Sequence, residues 1–373
     1  MSERLRYGLI GCGGFGRFCL EQYRAMPEVR CVAVADADPA LAQTLAGQFA
    51  IVACDSPEAL LARDDVDLVH IATPPWTHAP LCLAALEAGK HVLCEKPLAI
   101  TREDANAMVA LAREKQRLLA VNLIMRYNPL CAAVKAIIEG GFLGEPLHAH
   151  FINDAKDEQL TPGHWFWVRA QSGGIFIEHG VHFFDLFEWW FGPGQILAAA
   201  QTTRPGTALV EHVHCTARYG DSILAEFYHG FHQASRMDHQ EWKLVFEMGS
   251  IEMREWVPTT LRIDLLARDT TIAALGKLLP MAEVTTLERY QGAARHCTSR
   301  HQAREVDGHF SISTHAGFEK MDLYGEMLRA LMSDQISVIR NSSHQRRITE
   351  TNGVTSLEMA VAAQSAADVS GGH

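Results

Sequence analysis

The chain has 373 residues, of which 48% are apolar and 21% charged, close to the averages of globular proteins, so disorder, collagen and an extended coiled coil are excluded as its main architecture. Its 33 basic and 44 acidic side chains leave a net charge of −11, a poor match for a phosphate backbone, and no nucleic-acid partner is expected. No apolar run is long enough to cross a bilayer, the opening MSERLRYGLIGCGG has no leader pattern, and the nine cysteines lack a CxxC pair, which points to free thiols, no metal site and a reducing cytoplasm.

Residues 5–10 (LRYGLI) form an apolar run that ends at GCGGFG and is followed by a helical pattern, RFCLEQYRAM. A second run, 31–35, ends at Asp36. Asp38 then reads as an N-cap with Pro39 at the first helical position, and Ser56-Pro57-Glu58 repeats that logic after a short strand at 51–54. LVHIAT at 68–73 reads as a buried strand, HAPLCLAALEAGK as a helix closed by Gly89, and HVLCEKP as the next strand. Thr101 with Asp104 caps a helix over 102–116, and LLAVNLI at 118–124 is one more strand. This alternation predicts an α/β fold with a doubly wound parallel sheet.

The pattern changes after Arg126-Tyr127-Asn128-Pro129. A helix over 130–139 ends at Gly140-Gly141, and the runs EPLHAHFIN, QILAAAQTT, EHVHCTARY, SILAEFYHG, EWKLVFEMG and SIEMREW alternate with period two. They predict a second, α+β domain with a large, open, mainly antiparallel sheet. A helix over 180–191 interrupts it, and helical pieces are predicted near 270–278 and 284–297. The His-rich segment 297–315 reads as a lid or an oligomer contact. SLEMAVAAQSAADVS reads as a closing helix that packs back towards the first domain. The predicted domains are 1–124 and 125–373.

Gly11-Cys12-Gly13-Gly14-Phe15-Gly16 fits G-x-G-x-x-G between a strand and a helix, the context that makes it a dinucleotide fingerprint. The first glycine makes the turn, the second admits a pyrophosphate, the third lets helix and strand pack, and the helix start offers free N–H groups to phosphate. Asp36 follows Gly16 by twenty positions (36 − 16) at the end of the second strand. A carboxylate there accepts from ribose hydroxyls and repels a 2′-phosphate, so NAD is preferred to NADP.

Three further segments complete a pattern: Ala72-Thr73-Pro74-Pro75-Trp76-Thr77-His78, Glu95-Lys96-Pro97, and Gly173-Gly174 through Glu178-His179-Gly180-Val181-His182 to Asp185. With the glycine loop and Arg126-Tyr127-Asn128-Pro129, the chain resembles the glucose–fructose oxidoreductase / inositol dehydrogenase (Gfo/Idh/MocA) family. The resemblance implies a Rossmann NAD-binding domain over 1–124. It implies a substrate and oligomerisation domain over 125–373, with a homodimer or homotetramer formed through the open sheet. It also implies an NAD-dependent oxidoreductase acting on a sugar-like or cyclic polyol, a Lys96 near nicotinamide and substrate, and a cis Lys96-Pro97 bond. The family's D-x-x-x-H motif maps onto Glu178 and His182. Here Glu replaces the usual Asp, and His179 stands where the family usually has an apolar residue.

Gly11, Gly13, Gly14, Phe15, Gly16, Asp36, Thr73, Pro74, His78, Glu95 and Lys96 are accordingly expected on the cofactor, with His78 equally suited to packing the helix start. Oxidation of a secondary alcohol releases a proton, which His182 suits by type. Glu178, one helical turn earlier, is expected to orient that imidazole and favour its charged form, and Lys96 to stabilise alkoxide charge. Arg126, Asn153, Trp165, Arg169 and His179 are candidates for the substrate, although the aromatic run 165–167 equally suits a core or an oligomer contact. His148/His150 and His212/His214 each lie on one strand face without metal-ligand spacing. Two other readings use the same fingerprint: an NAD-using glycoside hydrolase of this fold, and a non-catalytic nucleotide and sugar sensor.

Overall fold

The computed structural model describes residues 4–279 and 281–370; residues 1–3, 280 and 371–373, among them the outer ends of the predicted domains, lie outside the described residues. The chain divides into two units, one of residues up to 124 with 163–185 and 324–364, the other of 125–162, 186–323 and the segment from 365. The first unit opens with β1 (Leu5–Ile10), α1 (Gly14–Tyr23), β2 (Val29–Ala35), α2 (Pro39–Phe49), β3 (Val52–Ala53), α3 (Pro57–Leu61), β4 (Leu68–Ile71), α4 (His78–Glu87), β5 (His91–Cys94), α5 (Arg102–Glu114) and β6 (Leu119–Val121). The second begins with α6 (Pro129–Glu139) and β7 (Pro146–Lys156). Residues 163–185 carry α7 (Arg169–Ser172), a π-helical turn at Phe176–Gly180 and the start of α8 (Val181–Phe191). Then follow β8 (Gly194–Thr203), β9 (Val210–Tyr219), β10 (Ile223–Gln233), β11 (His239–Phe246), β12 (Gly249–Arg254), β13 (Thr260–Ala267), α9 (Asp269–Leu278), β14 (Glu283–Arg289), β15 (His296–Ser299), β16 (Gln302–Glu305) and β17 (Gly308–His315). α10 (Lys320–Arg340) and α11 (Glu350–Ser370) close the chain.

The six strands of the first unit pair in parallel in the order β3-β2-β1-β4-β5-β6. The side chains of β4 and β6 are buried on both faces, as continuous apolar strands in a covered parallel sheet are. The caps read from the sequence are in place: Asp38 accepts from the Ala40 N–H, Ser56 from Ala59 and Thr101 from Asp104. The strand read at 51–54 shortens to Val52–Ala53, and the helix read to 116 ends at Glu114.

The predicted block 125–373 is not one unit. Tyr324 packs on Phe15 and Phe18 of α1, Arg329 hydrogen-bonds Gln22, and Arg346 donates to the Leu119 carbonyl of β6 at 3.0 Å. Gly353 of α11 sits so close to Leu98 and Val121 that an added Cβ would lie 3.0 Å from each. Those contacts lie within residues 324–364, the part of the last two helices that belongs to the first unit.

The second unit is a nine-stranded sheet in the order β14-β17-β13-β12-β11-β7-β10-β9-β8, antiparallel except for the central β7/β10 pair. β7 alternates as predicted: Ala149, Phe151 and Asn153 are buried, while His148, His150 and Asp154 are not. On the covered face Phe151 meets Trp242 at 4.3 Å and Phe187 meets Phe227 at 4.7 Å, while Trp190 donates to the Cys131 carbonyl of α6 at 3.0 Å.

The helix predicted over 284–297 is absent. Glu283–Arg289 pairs with β17 instead, a single 3₁₀ turn covers Gly292–Arg295, and β15 and β16 make a hairpin. Three consecutive β-branched residues, Val284, Thr285 and Thr286, favour the extended chain, and Arg300 and His301, both at positive φ, form the tight hairpin turn. The His-rich segment is thereby built into this hairpin and β17, where His309 meets Asp264 at 2.6 Å. All nine cysteines are free thiols. Among the described residues, no helix is long and apolar enough to cross a membrane.

Asn128 explains why its tetrapeptide matters to the fold. Fully buried, it caps α6 by accepting from Leu130 and Cys131, and its amide donates to the Pro258 carbonyl at 3.0 Å. Asn128→Ala is expected to lower stability by about 2 kcal/mol in denaturant titration, because it removes a cap and strands a buried carbonyl.

Candidate active site

In a doubly wound sheet the ligand crevice lies beyond the carboxyl ends of the strands. There the glycine loop joins β1 to α1. Gly11 takes φ +103°, and an added Cβ would lie 2.3 Å from the Ala72 carbonyl oxygen; at Gly16 it would lie 2.0 Å from the Gly11 carbonyl oxygen. These two glycines are packing requirements. At Gly13 and Gly14 an added Cβ would meet nothing within 4 Å, so the open ground of the loop lies above them. No side chain caps α1 and its first turn holds no acid, which leaves its first amides to an anion.

Asp36 closes this loop from β2. Its carboxylate accepts from the Cys12 N–H at 2.6 Å and the Asp38 N–H at 2.8 Å. Burial, and then Asp36, push the Cys12 thiol up to about 12, so it stays protonated. Open space over two glycines, an uncapped helix start and a fixed carboxylate at the end of β2 fit a dinucleotide.

Beyond β4, the Thr77 hydroxyl donates to the Pro74 carbonyl at 2.8 Å and lies 2.7 Å from Thr73 Oγ1. His78 is buried with both ring nitrogens on backbone carbonyls. Its ring therefore packs the start of α4 and has no nitrogen left for a cofactor. Beyond β5, Glu95 and Lys96 point opposite ways, as neighbours in extended chain do. Glu95, expected on the cofactor, turns into the core, where it accepts from Asn122 at 2.8 Å and meets His70 Nε2 at 3.0 Å. Lys96 turns the other way, and the Lys96-Pro97 bond is cis.

Lys96 meets the segment that follows Gly173-Gly174. Its Nζ donates to Glu178 Oε1 at 2.6 Å and to the Glu178 carbonyl at 2.7 Å. Both glycines have positive φ, and an added Cβ would strike Ile177 at one and Gln364 at the other; the π-helical turn that follows carries Glu178 and His179. Glu178 does not favour a charged His182 as expected. Burial first, then Lys96 and His179, hold the His182 imidazole well below its usual range, and burial with Lys96 pushes His179 down to about 3. The carboxylate is committed to the lysine, and the imidazoles are neutral beside a cation.

The remaining candidates divide between the units. In the first, Trp165 meets Trp76 edge-on at 5.9 Å, His164 lies 5.1 Å from Trp165, and Arg169 is exposed at the start of α7. Phe15 packs on Tyr324 at 5.9 Å. In the second, Arg126 lies over the Trp189 ring at 5.8 Å, and Asn153 shares the covered sheet face with its register partner His229. Sequence reasoning assigned no role to Trp76 or Tyr324. Trp76 lay inside a motif already singled out, whereas no local pattern marked Tyr324.

Residues 5–123 match the family described as "Oxidoreductase family, NAD-binding Rossmann fold", and residues 131–252 match "GFO/IDH/MocA C-terminal domain". Over 244 residues the chain is 31% identical to a dTDP-3,4-didehydro-2,6-dideoxy-alpha-D-glucose 3-reductase of Streptomyces antibioticus, a span of 64% of this chain and 73% of that one. Over 198 residues it is 31% identical to an inositol 2-dehydrogenase of Rhizobium meliloti (strain 1021), spanning 52% of this chain and 58% of that relative. A levoglucosan dehydrogenase solved with NADH and levoglucosan shares the fold at a TM-score of 0.77 and 21% identity, with 98% of both chains covered.

Gly16→Ala is expected to cost at least about 2 kcal/mol of stability in thermal unfolding, whereas Gly13→Ala should melt normally and lose nucleotide affinity in titration calorimetry. The two imidazoles give a pH signature. Both bind protons more weakly folded than unfolded, so stability is retained above an unfolded value of about 6.5 and lost as pH falls below it, for His179 towards about 3. Lys96→Met should make that acid loss shallower in denaturant titrations, because it removes the charge that disfavours both imidazolium forms.

Proposed function

Because the chain belongs to the Gfo/Idh/MocA oxidoreductase family, we propose that it moves a hydride between NAD and a secondary alcohol or ketone of a sugar-like or cyclic polyol. The observation that carries this reading is the Lys96 ammonium held by Glu178 next to two neutral imidazoles. The nicotinamide, when bound, supplies the redox chemistry. Lys96 stabilises negative charge on the reacting oxygen and makes a bound hydroxyl more acidic. His182, neutral across the physiological range, takes the hydroxyl proton as general base, and its depressed proton affinity lets it shed that proton to solvent afterwards. Glu178 fixes the lysine by a carboxylate and a carbonyl together.

Asp36 supports NAD over NADP, since its fixed carboxylate suits ribose hydroxyls and repels a 2′-phosphate. Trp165 with Trp76, Arg169 and His179, all in the first unit, are assigned to substrate recognition, with aromatic edges for C–H faces and polar groups for hydroxyls. The names of the relatives include both a reductase and a dehydrogenase, so either direction is consistent. The open face of the nine-stranded sheet, which exposes Leu224, is assigned to a homodimer or homotetramer.

A panel of sugars, inositols, uronic acids and amino sugars, followed by NADH absorbance, tests this reading. Net NADH formation supports a dehydrogenase; bond cleavage without net NAD turnover would identify a hydrolase, and binding without either a sensor. Lys96→Ala and His182→Ala should each lose roughly 10²–10⁴-fold in kcat with NAD affinity kept; full activity of His182→Ala overturns its assignment as base. Asp36→Ala should weaken NAD far more than NADP.

A further inference from the structure

His78, the first residue of α4, is fully buried. Its Nδ1 lies 2.7 Å from the Pro97 carbonyl oxygen and its Nε2 lies 2.8 Å from the Thr73 carbonyl oxygen. A carbonyl oxygen only accepts, so each contact requires an N–H on the ring, and a neutral imidazole has one. In either neutral tautomer a ring lone pair would face a carbonyl lone pair at hydrogen-bond distance, with no hydrogen between them. Only the imidazolium satisfies both contacts. We infer that His78 is an imidazolium at neutral pH whose two N–H groups tie the end of β4 to the loop after β5, and that this clamp positions Lys96.

The inference rests on the role proposed for Lys96, which adjoins Pro97 in the chain. The titratable groups facing the ring are thiols: Cys94 of β5 stands against it, and Cys82 of α4 stands against Cys94. Burial keeps Cys94 protonated. Burial also opposes a charge on His78, but the two carbonyls, each accepting from a ring N–H, favour it, and the group stands above its ordinary value. The loop it grips is itself tied by the Thr77 hydroxyl to Thr73 and Pro74, so the clamp joins two ordered strand ends.

The test is nitrogen NMR on the full chain labelled in its histidine rings, with NAD present and the His78 resonances assigned through His78→Gln. At neutral pH both ring nitrogens should carry bonded protons, with one lost only at alkaline pH. A neutral tautomer at pH 7 overturns the inference. If His78→Gln does not fold, the assignment is made by through-bond experiments on the wild-type chain, so the readout survives. Where it does fold, its single amide nitrogen cannot span both carbonyls. Its kcat should then fall roughly ten- to hundredfold with KM little changed; full kcat in a chain whose ring is doubly protonated would leave a cation but sink its positioning role. Because the ring readout needs no substrate, a failed search for dehydrogenase activity does not decide it.

Discussion

A lysine ammonium drawn partly out of water must be compensated, and here one residue does it twice. Glu178 gives Lys96 both a side-chain oxygen and its own carbonyl. Burial first, and then the charge of the paired lysine, hold His179 and His182 neutral. Glu178 thus forms a carboxylate–ammonium pair with Lys96 where a carboxylate–imidazole pair was expected.

Everything else in the first unit serves to bring short strand ends to one edge. β1 ends at the glycine loop, β2 at Asp36, β4 at the Thr73–His78 loop and β5 at Lys96. Each end is held by backbone-scale constraints: the contact of Gly16 with the Gly11 carbonyl, the two amides on Asp36, and the two carbonyls on His78. Rigid strand ends of this kind can hold reacting groups in a fixed geometry. The pairing of Glu95 with Asn122 and His70 does the reciprocal work on the core side of β5.

Much of this was legible in the residue pattern because its causes are local. An N-cap such as Asp38, Ser56 or Thr101 acts within three residues, and period-two alternation along β7 needs only the pleat. The helix expected at 284–297 failed for the opposite reason. That stretch has some helical character, but a ladder to β17 outbids it, and β17 lies beyond it in the chain. The direction of Glu95, the grip on His78 and the pairing of Tyr324 with Phe15 likewise join residues far apart in sequence.

The amino-acid order alone determined the two fold classes, the glycine turn, the acid at the end of the second strand and the residue types of the site, since each follows from chain stiffness, side-chain periodicity or short-range hydrogen bonding. Only the tertiary structure decided which groups face each other: that residues 163–185 and 324–364 join the first unit, that Glu178 takes the lysine, and that the imidazoles beside it lose their charge. Partner choice and desolvation depend on through-space distance and burial, and neither is encoded in spacing along the chain.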